Sequence, residues 1–66
     1  MSMAYIRKTY GVPVKRGKRV RCKAWDGWCD GTITSADKEG VMVRPDPWPN
    51  ARLRYHPTDT SGLIYP

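Results

Sequence analysis

From residue 18 onward, apolar and polar side chains alternate in short bursts with a period near two. Val20, Cys22 and Ala24 are interleaved with Arg19, Arg21 and Lys23. Val41 and Val43 flank Met42, and Ala51, Leu53 and Tyr55 alternate with Arg52, Arg54 and His56. Alternation of this kind marks strands with one buried face. Six prolines and six glycines punctuate the chain every few residues, so the expected elements are short strands joined by turns. The pattern predicts strands over 18–25, 28–35, 41–44, 51–56 and 63–65. Residues 1–17 show no clear period. Within them Val12-Pro13-Val14 is expected to be extended, because proline biases its predecessor away from the helical region, and Lys15-Arg16-Gly17 reads as a turn. Residues 36–40 read as a turn in which Gly40 can take a positive φ. Residues 45–50 form a stiff loop with three prolines around Trp48, and residues 57–62 a further turn with a 3₁₀ segment begun by Pro57.

The first two strands flank Asp26-Gly27, a strong hairpin signal. A two-residue loop there places 25 opposite 28, 24 opposite 29, 23 opposite 30, 22 opposite 31 and 20 opposite 33. One face then carries Val20, Cys22, Ala24, Cys29, Gly31 and Ile33. The other carries Arg19, Arg21, Lys23, Trp25, Trp28, Asp30, Thr32 and Thr34, with Lys23 facing Asp30. In this register Cys22 and Cys29 share the core face diagonally, too far for a disulfide without closer approach. The expected core is Val20, Ile33, Val41, Val43, Leu53 and Tyr55. The fold class is all-β: a small five-stranded SH3-like barrel over 18–66, preceded by an irregular basic N-terminal arm over 1–17. The arm is expected to dock in part, since Tyr5 and Ile6 are out of place in a fully solvated tail. An OB-type barrel needs longer strands.

Charge sharpens this picture. Eight of the twelve Lys and Arg residues fall in the first 24 positions, a stretch without an acid, and all six acids follow it. The formal charge is +8 on that third and −2 on the rest. One-signed fields recruit partners of the opposite sign. A chain of 66 residues buries only about 60% of its unfolded surface, which argues against a deep cofactor cleft. The longest apolar run, residues 3–6, is too short to span a bilayer and does not form a secretory signal, so a cytoplasmic protein is expected. Two cysteines, one histidine and no CxxC give neither a disulfide scaffold nor zinc-ligand spacing. His56 has no recognisable catalytic companions. It reads as a structural histidine, with Asp59 positioned to orient its ring. The glycines are too dispersed for a phosphate loop. No enzyme activity, metal, cofactor, small-molecule substrate or membrane partner is expected.

The order Gly17, Arg19-Val20-Arg21, Gly31-Thr32-Ile33 and Gly40 before a valine-rich strand resembles the KOW- and Tudor-like branch of SH3 barrels. That resemblance implies binding to nucleic acid, ribosomal partners or protein tails. Val12-Pro13-Val14-Lys15-Arg16-Gly17, Arg19-Val20-Arg21, Gly31-Thr32-Ile33 and Tyr55-His56-Pro57-Thr58 together are similar to small basic proteins encoded by phages and prophages. This implies an SH3-like fold and a bacterial-host cytoplasm. Arg19-Val20-Arg21, Trp28, Gly31 and Ile64-Tyr65-Pro66 also resemble the plasmid-encoded SH3-like dihydrofolate reductases. In this chain, however, Leu63 stands where their pore carries glutamine, so the activity does not carry over.

Two functions follow as expectations. In the first, the chain binds DNA or RNA with weak sequence specificity. Arg7, Lys8, Lys15, Arg16, Lys18, Arg19, Arg21 and Lys23 neutralise phosphates, and Trp25 and Trp28 stack on bases, as exposed aromatics beside cations do. In the second, the chain is an interaction module that binds and modulates or inhibits an acidic host protein, with Trp25 and Trp48 as anchors. Trp48 is also placed to fold back and cover one end of the barrel.

Overall fold

A computed structural model describes residues 3–37 and 40–66 of the chain. They form one helix, α1 (Met3–Tyr10), and five strands: β1 (Arg19–Ala24), β2 (Gly27–Asp37), β3 (Gly40–Pro45), β4 (Leu53–Tyr55) and β5 (Leu63–Ile64). All strand pairs are antiparallel, in the order β4-β3-β2-β1-β5. The curled all-β sheet is compatible with a small SH3-like barrel.

Sheet curvature has a local cause. The β2–β3 ladder runs Ile33↔Val43 and then Ser35↔Met42, leaving Thr34 as an extra residue. Such a bulge bends the strand and strengthens its twist. It also resets the alternation, so that Ala36 instead of Ser35 stands opposite Val41 and packs against the core. The middle of the expected 36–40 turn, residues 38–39, lies outside the described residues. Gly40 beside it takes φ +140, and a Cβ there would sit 2.5 Å from the Tyr55 carbonyl oxygen.

The core holds Ile6, Val14, Val20, Cys22, Ile33, Val41, Val43 and Leu63, with Tyr55, Cys29 and Met3 packed against it. Leu53 and Tyr55 are only half-buried. Ile6 and Val14 come from the segment expected to be irregular. Residues 3–10 are helical, with Met3, Ile6 and Tyr10 spaced along one side. Arg7 and Lys8 lie in the last turn, where cations oppose the helix dipole. Gly11 then ends the helix at φ +67, its N–H bonding the Arg7 carbonyl at 2.9 Å, as a left-handed C-terminal glycine does. The chain folds back through Pro13, and the Arg7 guanidinium donates to the Val14 carbonyl at 2.8 Å. The arm therefore docks as a helix and supplies two core side chains.

The Lys15-Arg16-Gly17 turn forms as expected: the Lys18 N–H bonds the Lys15 carbonyl at 3.0 Å, and Gly17 supplies φ +86. Two successive turns join β4 to β5, closed by Asp59 N–H to the His56 carbonyl at 3.0 Å and Gly62 N–H to the Asp59 carbonyl at 3.1 Å.

Ile6 is 2% exposed. Ile6→Ala is therefore expected to lower stability by about 2–5 kcal/mol, read as a reduced urea midpoint. A solvated arm would leave the midpoint unchanged.

Candidate nucleic-acid interface

The first hairpin turns one residue earlier than expected. Its loop is Trp25-Asp26, closed by Ala24↔Gly27. A type I′ turn centred on Asp26-Gly27 needs φ > 0 at both positions. No non-glycine residue adopts positive φ among those described, and Gly27 does so at φ +113 just after the loop. The glycine thus serves as the left-handed residue following the turn. Each cross-strand partner moves by two positions, so every strand residue keeps its expected face while its neighbours change. Lys23 faces Trp28, Arg21 faces Asp30 and Cys22 faces Cys29. The expected pairings Lys23 with Asp30 and Trp25 with Trp28 are corrected, as is the diagonal placement of the cysteines.

Arg19, Arg21 and Lys23 all project from the outer face of β1, exposed, while Val20 and Cys22 are buried behind them. They do not form a uniform cationic row. Arg19 donates to Thr32 Oγ1 at 2.7 Å and grips Asp46 with both terminal nitrogens, at 3.0 and 2.5 Å. The hydrogen bond from Arg19 holds the Asp46 carboxyl below its ordinary pKa, and the carboxylate in turn raises that of the guanidinium. Asp30 adds a second acid between Arg21 and the rest of β2. Arg21 and Lys23 themselves make no side-chain hydrogen bond or ion pair with any described residue. Arg44, opposite Thr32 on β3, joins this face. The alternation of Val41 and Val43 already placed it there, although it was not among the expected site residues.

The aromatics divide. Trp28 lies beside Lys23 on the sheet face, 41% exposed. Trp25 leaves the strand for the loop tip, 65% exposed, and meets Trp48 edge to face at 5.1 Å. Two tight turns present Trp48, with its N–H on the Pro45 carbonyl and its carbonyl accepting from Ala51. It is half-buried and borders a shallow hollow of about 410 Å³ with Pro47, Pro49 and Asn50. Trp48 is thus paired with Trp25 at the hairpin end.

The remaining expected residues lie apart. Lys15 and Arg16 are exposed on their turn, and the Lys18 ammonium reaches the Pro66 carbonyl at 3.4 Å. Arg7 is committed to Val14, and α1 packs through Ile6 on the core side, so Arg7 and Lys8 stand away from the outer face of β1. His56 is oriented by Thr58 rather than Asp59: its Nδ1 accepts the Thr58 backbone N–H at 3.2 Å, and Tyr10 packs edge-on at 5.1 Å. Asp59 instead accepts from the Ser61 N–H and hydroxyl. Among the described residues no helix is long and apolar enough to cross a membrane. No protein-family model, curated protein or solved structure matches this chain.

The lowered Asp46 pKa fixes the sign of the clamp's pH dependence. Its contribution is present above the unfolded pKa and is lost as pH falls through the lower folded value. NMR titration of side-chain carboxyls is expected to place Asp46 below the usual value of about 3.9, and Arg19→Gln to return it there. An ordinary Asp46 pKa in the unaltered protein would refute the clamp.

Proposed function

We propose that this chain is a small basic nucleic-acid-binding protein of weak sequence specificity, using the outer face of the β1–β2 hairpin. The observation that carries this reading is the juxtaposition of Arg21 and Lys23, both free of side-chain partners among the described residues, with exposed Trp28 directly across from Lys23. Phosphates follow the cations, which on one strand face recur about every 6.6 Å, and bases stack on Trp28 and on the Trp25–Trp48 pair at the hairpin end. Lys15, Arg16 and Lys18 extend the positive field beyond Arg19, whose charge is largely answered by Asp46. Contacts of this kind position a backbone without reading base edges. The chain is read as a binding module and not as an enzyme. The resemblance to KOW- and Tudor-like barrels supports the same reading, and the resemblance to small phage proteins supports a bacterial-host cytoplasm.

Affinity for labelled single- and double-stranded DNA and RNA, measured at two salt concentrations, tests the proposal. With about five phosphates contacted, the log–log salt slope is expected near −4.5 on duplex DNA and near −3.5 on single strands. Arg21→Gln and Lys23→Gln should each reduce its magnitude by about 1, and Trp28→Ala should weaken single-strand binding by roughly 1–3 kcal/mol. Absence of binding at about 50 mM salt rejects the reading.

The second reading, docking on an acidic host protein, draws on exposed apolar surface. Ile64, 42% exposed, lies across from Arg21 and borders a groove of about 390 Å³ with Val12, Leu63 and Tyr65. A stoichiometric host protein that persists in a nuclease-treated pull-down selects this reading over the first.

A further inference from the structure

The observed register brings the two cysteines face to face. Cys22 and Cys29 are direct cross-strand partners, with their sulfurs 3.7 Å apart. Directly paired residues of an antiparallel ladder have Cα atoms about 4.5–5.5 Å apart, inside the range of 4.4–6.8 Å that a disulfide spans. Both side chains point to the core face. Cys22 is fully buried, whereas Cys29 is half-exposed. The space around Cys22 is kept by Gly31, where a Cβ would lie 3.2 Å from the Cys22 sulfur. We propose that Cys22 and Cys29 form a thiol–disulfide pair, a redox modification site that closes a covalent ring around the turn bearing Trp25.

Exposure sets the order of events. The Cys29 thiolate attacks a low-molecular-weight disulfide, forming a mixed disulfide and releasing one thiol. Cys22 then loses its proton to solvent and attacks the Cys29 sulfur, releasing the second thiol. In sum, two protein thiols become one disulfide, and the small disulfide becomes two thiols. The second step is the slower, because burial pushes the Cys22 thiol up to about 11 and only the thiolate is nucleophilic. Closure draws the sulfurs from 3.7 Å to about 2.05 Å. The ring includes Lys23 and Trp28, so the oxidation state bears on the same surface as the proposed function, but the chemistry stands without it.

The test is incubation of the unaltered protein with oxidised glutathione, followed by alkylation and intact-mass measurement. The expected product is a monomer that has lost two hydrogens, carries no glutathione and resists alkylation at both cysteines until a dithiol reductant is added. In Cys22→Ala the same treatment should stop at the Cys29 mixed disulfide. A persistent Cys29–glutathione adduct in the unaltered protein, or a disulfide-linked dimer as the main product, overturns the proposal. Each readout is independent of nucleic acid, so its failure is distinct from failure of the binding hypothesis.

Discussion

Gly27 accepts a positive φ at the point where the chain reverses, and the β1–β2 ladder closes against it at Ala24. Every neighbour relation on both faces of the hairpin descends from that closure. A loop one residue later would pair Lys23 with Asp30 and leave the sulfurs diagonal. Instead the cation stands across from an indole, and the two thiols meet. Because side chains alternate strictly along a strand, the displacement exchanges partners without turning the core face outward.

The charge asymmetry of the chain is divided by geometry into distinct roles. Arg7 bridges the helix to the segment that follows it, and Arg19 is the centre of a clamp joining β1, β2 and the loop after β3. These two cations are structural in the first instance. Lys15, Arg16, Arg21 and Lys23 retain their charge for solvent or for a partner. Formal charge therefore overstates the field on the hairpin face, where Asp30 and Asp46 lie among the arginines.

Much of the sheet could be read from alternation. Val20 and Ile33 declare their strands because each is flanked by polar residues, Val41 and Val43 because they recur at a spacing of two, and all five expected strands are present. Three features were hidden, each for a physical reason. The helix over residues 3–10 fully buries only Ile6, and the unbroken apolar run at residues 3–6 masks the helical spacing of Met3, Ile6 and Tyr10. The bulge at Thr34 interrupts alternation with a residue whose type does not betray it. The clamp between Arg19 and Asp46 joins residues 27 positions apart, which no local pattern records. The candidate site was legible in composition and in facing, but not in its pairings: Trp25 and Trp48 meet only because two loops share one end of the sheet.

The shortest strand has a temporal consequence. β5 contributes only Leu63 and Ile64, yet it pairs with Arg21 and Cys22 far earlier in the sequence, and Leu63 is part of the core. During synthesis the β1–β2–β3 meander can assemble from neighbouring segments, but β1 then has an unpaired edge and an open place in the apolar interior. Loop closure over such a separation is paid entropically before its contacts form. The nascent chain therefore carries an exposed strand edge on β1 until Leu63 and Ile64 are in place, and completion of the sheet waits on a segment made long after the strand it covers.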